Sequence, residues 1–172
     1  DCHAPMSVTG GAEILADLRA KSMPVKDIAL YPQCVTFLVV VSVKTPYANV
    51  AEKIASIVWA RESATPVYVL VVDDDVDPNN IWQVLHAFAT KCHPWRGITR
   101  IEHGTGTPLT TFLSLPEIIN RLGARAYFDC TWPKEWDPSI AVPPRSSFDG
   151  IFPVEVQEHV IKNWKLYGFD GE

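Results

Sequence analysis

The sequence predicts an α/β domain in which a mainly parallel sheet carries helices on its faces and the chain ends in a C-terminal helix. Three observations support that expectation. Short apolar runs of strand length alternate with longer segments of helical periodicity. The clearest run, residues 67–72, is apolar almost throughout, as in a strand covered on both faces. Helices that fall between buried strands imply parallel crossovers.

Each element follows from its residues. Residues 11–21 carry Ile14, Leu15 and Leu18 at helical spacing, and Pro24 bars continuation. Residues 28–31 and 35–43 read as strands divided by Pro32. Pro46 stands at the first turn of a helix expected to reach Arg61, with Val50, Ile54, Ile57 and Val58 along one face. The strand over 67–72 runs into Asp73, Asp74, Asp75 and Asp77, then a helix over 79–91. Asp77 is its expected N-cap and Pro78 its first helical residue, and His93-Pro94 ends it. Strands are expected over 98–102 and 124–129. Between them, 103–114 is rich in Gly, Thr and Pro, and a short helix over 116–122 is closed by Gly123. Residues 132–150 are proline-rich and aperiodic, an irregular connection. A last helix over 154–167 has Val156, Val160, Ile161 and Trp164 as an apolar stripe, which suits either its own domain or a partner subunit. The expected organisation is an α/β domain over 1–150 with a C-terminal helical extension over 151–172.

Composition narrows the function classes. A chain of 172 residues that is 47% apolar and 20% charged is ordinary for a globular protein. Its net charge of −5, with no basic stripe, argues against nucleic acid as a partner. The longest apolar run, residues 35–43, is far shorter than the roughly 20 residues of a bilayer helix, so no membrane partner is expected. No secretory signal is visible, and the chain begins at Asp1, from which a fragment or processed product is expected. Cys2, Cys34, Cys92 and Cys130 are scattered, which fits reduced thiols and a cytoplasmic location better than a disulfide framework.

No arrangement of residues makes a complete active site. The acidic run at Asp73–Asp77 first suggests a hard cation, but it lacks the glycine and distal glutamate of a calcium loop. A structural role at a strand end and helix start is the better reading. Cys2, His3, Cys92 and His93 do not have the usual zinc spacing, so no metal ligand is assigned. Residues 103–109 hold glycines but no phosphate-binding fingerprint; they read as a loop over a binding site or as an ordinary surface loop. No Ser-His-Asp or activated Cys-His set can be drawn.

Five segments, in order, resemble one family. Val69-Leu-Val-Val-Asp-Asp-Asp-Val-Asp77 and Ile81 to Pro94, with Ala-x-x-Thr-Lys-x-x-Pro at its end, form the core of the likeness. Ala20 to Val25, Tyr127-Phe-Asp-Cys-Thr-Trp-Pro133, and Phe152 to Val156 leading to Asn163-Trp164 and Gly168-Phe169 complete it. Together they resemble the C-terminal domain of UbiD-type decarboxylases, closest to the hydroxybenzoate branch. The resemblance implies non-oxidative, reversible decarboxylation of a small aromatic acid, with 3,4-dihydroxybenzoate (protocatechuate) or gallate as the candidates. It implies prenylated FMN held with a divalent metal (Mn or Mg) and potassium. The family's Arg-Glu-Glu constellation belongs to the N-terminal and central parts, so no catalytic residue is expected here and the fragment alone is expected to bind no cofactor and to be inactive. The implied partners are the missing N-terminal cofactor-binding domain and further copies in a homo-oligomer, a dimer or higher.

Four site residues are carried over from the resemblance. Arg61 aligns with a family cation that reaches the cofactor; the alternative is a solvated charge at a helix end. Thr107 and Leu109 align with a substrate-lining loop, where Thr107 replaces an aromatic residue and points to a more polar ring. Met6 falls at an apolar pocket position. Ala64 stands where the ferulate branch has a tyrosine. A rival reading from another class is a stand-alone, non-catalytic binding or assembly module of the same fold, which the presence or absence of an N-terminal extension would distinguish.

Overall fold

The computed structural model describes residues 3–44, 47–61, 66–105, 109–137, 139–143 and 147–169. The chain divides into two compact units, residues 1–134 and 135–172. In the first, the order is α1 (His3–Ala20), β1 (Val25–Leu30), β2 (Leu38–Val43), α2 (Val50–Trp59), β3 (Tyr68–Asp73), α3 (Ile81–Lys91), β4 (Ile98–Thr105), α4 (Leu115–Ile119) and β5 (Leu122–Cys130). Among the described residues these strands form one sheet in the order β1-β2-β3-β5-β4. The three central strands are parallel, Val41 facing Val71 and Val71 facing Asp129, while β1 and β4 run antiparallel at the two edges. The mainly parallel sheet expected from the sequence is therefore the middle of a mixed one.

Strand periodicity separates two cores. Val39, Val41 and Val43 of β2, with Val69 and Val71 of β3, point to the face covered by α1 and α2. There they meet Ile14 and Leu18 of α1 and Val50, Ala51, Ile54, Ala55 and Val58 of α2. Val40, Leu70, Val72 and Cys130 point the other way, onto Val84 and Ala87 of α3. Because β2 and β3 are covered on both sides, nearly every position is apolar, and that is the run the sequence displays.

Several boundaries differ from expectation, each for a local reason. The N-cap of α3 is Asn80 rather than Asp77: the Asn80 side chain accepts from the amides of Trp82 and Gln83, and Asp77 instead accepts from Asn79 in a tight turn that precedes the helix. Residues 35–37 do not join β2, because a turn of 3-10 helix at Pro32–Cys34 leaves Val35 and Thr36 in left-handed conformations before the strand begins. α1 starts earlier than its apolar spacing indicated. Gly10 and Gly11 let it lie against Leu30: a Cβ on Gly10 would stand 3.2 Å from the Leu30 Cδ2 atom. Gly123 does not close α4; it is paired with Gly104 inside the β4–β5 ladder, and Asn120 caps the helix. Pro46, expected at the start of α2, lies outside the described residues.

The second unit holds α5 (Phe148–Ile151), α6 (Val154–Lys162) and a 3-10 turn at Trp164–Tyr167. The helix expected over 154–167 thus ends at Lys162. Asn163 donates from its side chain to the His159 carbonyl, and Gly168 at φ 82° turns the chain so that Phe169 stacks on Trp164 at 4.6 Å. No helix among the described residues is long and apolar enough to cross a membrane.

Ile54 is fully buried between α1 and the central valines. Replacing it with Ala is expected to cost about 2–5 kcal/mol, read as a lower urea midpoint with an unchanged slope.

Candidate functional site

A parallel sheet has two distinct ends, and this one uses them differently. Ligands of open α/β sheets usually sit at the carboxyl ends of the strands. Here that end is closed by side chains. Lys91, at the last turn of α3, donates to Asp73 at 2.8 Å and to Asp75 at 3.0 Å. The Trp132 amide donates to the same Asp73 oxygen at 3.2 Å, and the Lys91 ammonium lies 5.4 Å from the Trp132 ring centroid. Ser42 donates to the Asp73 carbonyl at 3.2 Å. Burial holds the Asp73 carboxyl above its ordinary range, against the pull of Lys91 and the Trp132 amide. The acidic run is thus a clasp that ties β2, α3 and the exit of β5 to the end of β3. Among the described residues, no group of three or more His, Cys, Asp or Glu side chains could hold a metal ion. Cys2 lies outside those residues; His93 accepts from the Trp95 amide at 3.1 Å, and burial raises the pKa of the Cys92 and Cys130 thiols.

Three of the residues singled out by resemblance, Met6, Arg61 and Leu109, fall on elements that reach the amino ends of the strands. β3 begins at Tyr68, opposite Leu38 and Ala126, so the segment that enters it from α2 lies at this edge. β4 ends there as well, because Thr105 pairs with Leu122 at the start of β5. The connection from β4 to α4 therefore leaves from the same edge, with Leu109 exposed just beyond it. α1 runs antiparallel to β1, and its amino-terminal turns, with the half-exposed Met6, lie on the side where Gly10 meets Leu30. Thr107 and Ala64 fall outside the described residues. Topology brings Met6, Arg61 and Leu109 to one edge of the sheet.

Arg61 stands just past α2, after its C-cap Ala60. One of its terminal nitrogens donates to Glu13 at 2.5 Å and the other to Asp17, both on α1. Its side chain is 18% exposed, against 62% for Glu13 and 47% for Asp17, so the guanidinium is the inner member of the group. Two residues earlier, the Trp59 indole donates to the Pro66 carbonyl at 3.1 Å and packs near Tyr127, with ring centroids 6.4 Å apart. Arg125 of β5 donates to the Trp59 carbonyl at 3.3 Å, a cation at the negative end of α2, and burial lowers its pKa. On the other face, Tyr68 lies 6.4 Å from both Phe112 and Phe128. The arrangement offers guanidinium donors and aromatic surface. Among the described residues of this edge, no nucleophile is paired with a base.

Sequence reasoning found Arg61 but not its partners. Glu13 and Asp17 are like charges four residues apart, a spacing that costs an isolated helix about 0.2–0.5 kcal/mol unless a cation is shared. That was a usable signal. The Lys91–Trp132 contact with Asp73 had none, because 41 residues separate the two.

The model for the UbiD_C family, 3-octaprenyl-4-hydroxybenzoate carboxy-lyase C-terminal domain, matches residues 3–130. Among solved structures, the chain is similar to vanillic acid decarboxylase of Sedimentibacter hydroxybenzoicus in its open form. The TM-score is 0.73 at 24% identity, over 95% of this chain and 34% of that one. It is similar to the 3,4-dihydroxybenzoic acid decarboxylase of Klebsiella pneumoniae (TM-score 0.68, 22% identity, 87% of this chain, 32% of that one). A third is the UbiD-class enzyme HmfF from Pelotomaculum thermopropionicum in complex with FMN (TM-score 0.67, 19% identity, 78% of this chain, 29% of that one). At these identities the likeness speaks to the fold. The chain spans about a third of the length of each of these proteins.

Replacing Lys91 with Met leaves Asp73 buried without its cation, with an expected cost of about 3–5 kcal/mol at neutral pH. The sign with pH follows from the raised Asp73 pKa. The folded state binds that proton more readily than the unfolded chain does, so stability is lost as pH rises through the folded value. The deficit of the variant is therefore greatest at neutral pH and shrinks on acidification, which urea unfolding at a series of pH values would read.

Proposed function

The chain belongs to the UbiD C-terminal domain family, and from that premise we propose that it is the substrate-lid and oligomerisation domain of a non-oxidative aromatic-acid decarboxylase. The family match across residues 3–130 is the observation that carries this reading. In it, the N-terminal part of the enzyme holds prenylated FMN with its divalent metal and potassium. The amino edge of this domain closes over that cofactor from one side.

Arg61 is the residue proposed to meet the cofactor. Its guanidinium is a partly buried cation of the edge, and planar donors of fixed geometry suit an anionic group better than a lysine would. Met6, Thr107 and Leu109 are proposed to line the substrate. Prenylated FMN supplies an electron-poor ring that takes up the charge released when carbon dioxide departs. The role of this chain is to position the ring acid and to exclude water.

The substrate proposed is 3,4-dihydroxybenzoate or gallate. Two features support a hydroxylated ring: Thr107 in place of an aromatic residue, and the segment Phe128-Asp-Cys-Thr-Trp-Pro133. Some of the fold neighbours act on such acids, among them the 3,4-dihydroxybenzoic acid decarboxylase.

The reading is tested on the full-length protein that contains this chain, supplied with the prenylated flavin and incubated anaerobically with each acid. Carbon dioxide release from 3,4-dihydroxybenzoate or gallate, with a flavin absorption band on the purified protein, is the expected result. A native protein no longer than this chain, colourless and inert, would replace the reading with a non-catalytic assembly module. In the active enzyme, Thr107→Phe is expected to lower kcat/KM for hydroxybenzoates by about tenfold or more relative to cinnamates. An unchanged ratio would remove Thr107 from the pocket.

A further inference from the structure

The Arg61 contacts assign a role to two residues that the resemblance does not reach. We propose that Glu13 and Asp17 are positioning residues for Arg61, fixing both the place and the plane of its guanidinium at the amino edge. The inference rests on the reading above, in which Arg61 meets the anionic part of the flavin.

The geometry favours this over an incidental surface pair. The two carboxylates stand one turn apart on α1, 48 and 44 residues from Arg61 in sequence, and each takes a different terminal nitrogen. A single contact leaves a guanidinium free to swing about the nitrogen held. Two contacts to separate nitrogens fix its plane. A planar cation with five donors can satisfy both carboxylates and still present donors to a third anion.

Position along the chain adds to the argument. Arg61 follows the C-cap of α2, in the connection that leads to β3 at the amino edge. Asp17 is followed by Leu18, which is fully buried on the core face of α1, so the carboxylate is mounted on a helix whose rotation is fixed by packing. Met6, Glu13 and Asp17 lie seven and four residues apart, on one stripe of that helix. The same stripe thus carries the proposed apolar pocket residue and the two side chains that hold the cation. The alternative role, carboxylates that compete with an incoming anion, predicts the opposite sign on removal.

The test is a binding cycle on the full-length apoenzyme, titrated with flavin mononucleotide and followed by quenching of flavin fluorescence. Arg61→Ala is expected to raise Kd by about tenfold or more, the loss of a charged hydrogen-bond donor. Glu13→Ala and Asp17→Ala are expected to raise it severalfold, and Glu13→Gln and Asp17→Asn less, since the amides keep an acceptor. Combined with Arg61→Ala, the carboxylate variants should add nothing, a coupling that a merely structural role would not produce. If the alanine variants fail to fold, the amide variants alone give the cycle. Wild-type or tighter binding in the carboxylate variants, with Arg61→Ala impaired, would overturn the positioning role and leave Arg61 in place. Unchanged binding in Arg61→Ala would remove both.

Discussion

The structure depends on one constraint: parallel strands must be covered on both faces. The valines of β2 and β3 alternate between α1 and α2 on one side and α3 on the other, and they have no polar face to give to water. The parallel step from β2 to β3 is made by α2, which returns the chain to the amino edge, whereas α3 leads into β4 near the carboxyl end of β5 and β4 itself carries the chain back. That geometry decides where the functional segments can lie. The link from α2 into β3 is at the amino edge because α2 is a crossover. The turn out of β4 reaches it because β4 is antiparallel to β5. The two edge strands being antiparallel is what allows loops of separate origin to meet at one end.

The opposite end shows how a carboxylate-rich segment can be structural. Asp73 is buried at the tip of β3 and would be costly there without partners. Lys91 and the Trp132 amide supply them from two other parts of the chain, and the Trp132 ring lies against the Lys91 ammonium. With that end occupied by protein groups, the usual place for a ligand in an open α/β sheet is filled. The amino edge, with Arg61 held between two exposed carboxylates and aromatic rings at Trp59, Tyr68 and Tyr127, is the end with groups suited to an anionic aromatic ligand.

Much of this was legible in the sequence, and the pattern of what was not is physical. Residues 67–72 could be read as a buried strand because full burial leaves a continuous apolar run. The helices α2 and α3 were legible from one-sided periodicity, and the order of elements followed. The N-cap of α3 was displaced to Asn80 because Asp77 and Asn80 are equally good caps in isolation, and the choice is made by the turn through Asn79. The left-handed pair at Val35 and Thr36 was invisible, since β-branched residues favour strands and only the tertiary turn at Pro32 overrides them. Arg61 was marked by resemblance, while Glu13 and Asp17 offered only their like-charge spacing, because the cation they share lies 48 and 44 residues away in sequence. Lys91 and Trp132 were missed for the same reason.

The central claim is that the amino edge, and not the carboxyl edge, meets the flavin and the aromatic acid. Hydrogen exchange of the full-length enzyme, with and without flavin and 3,4-dihydroxybenzoate, tests it most directly. The account predicts ligand-dependent protection of the segments around residues 59–66 and 103–115, with little change around 73–80 and 131–134. Protection confined to 73–80 and 131–134, or none anywhere in this domain, would contradict it.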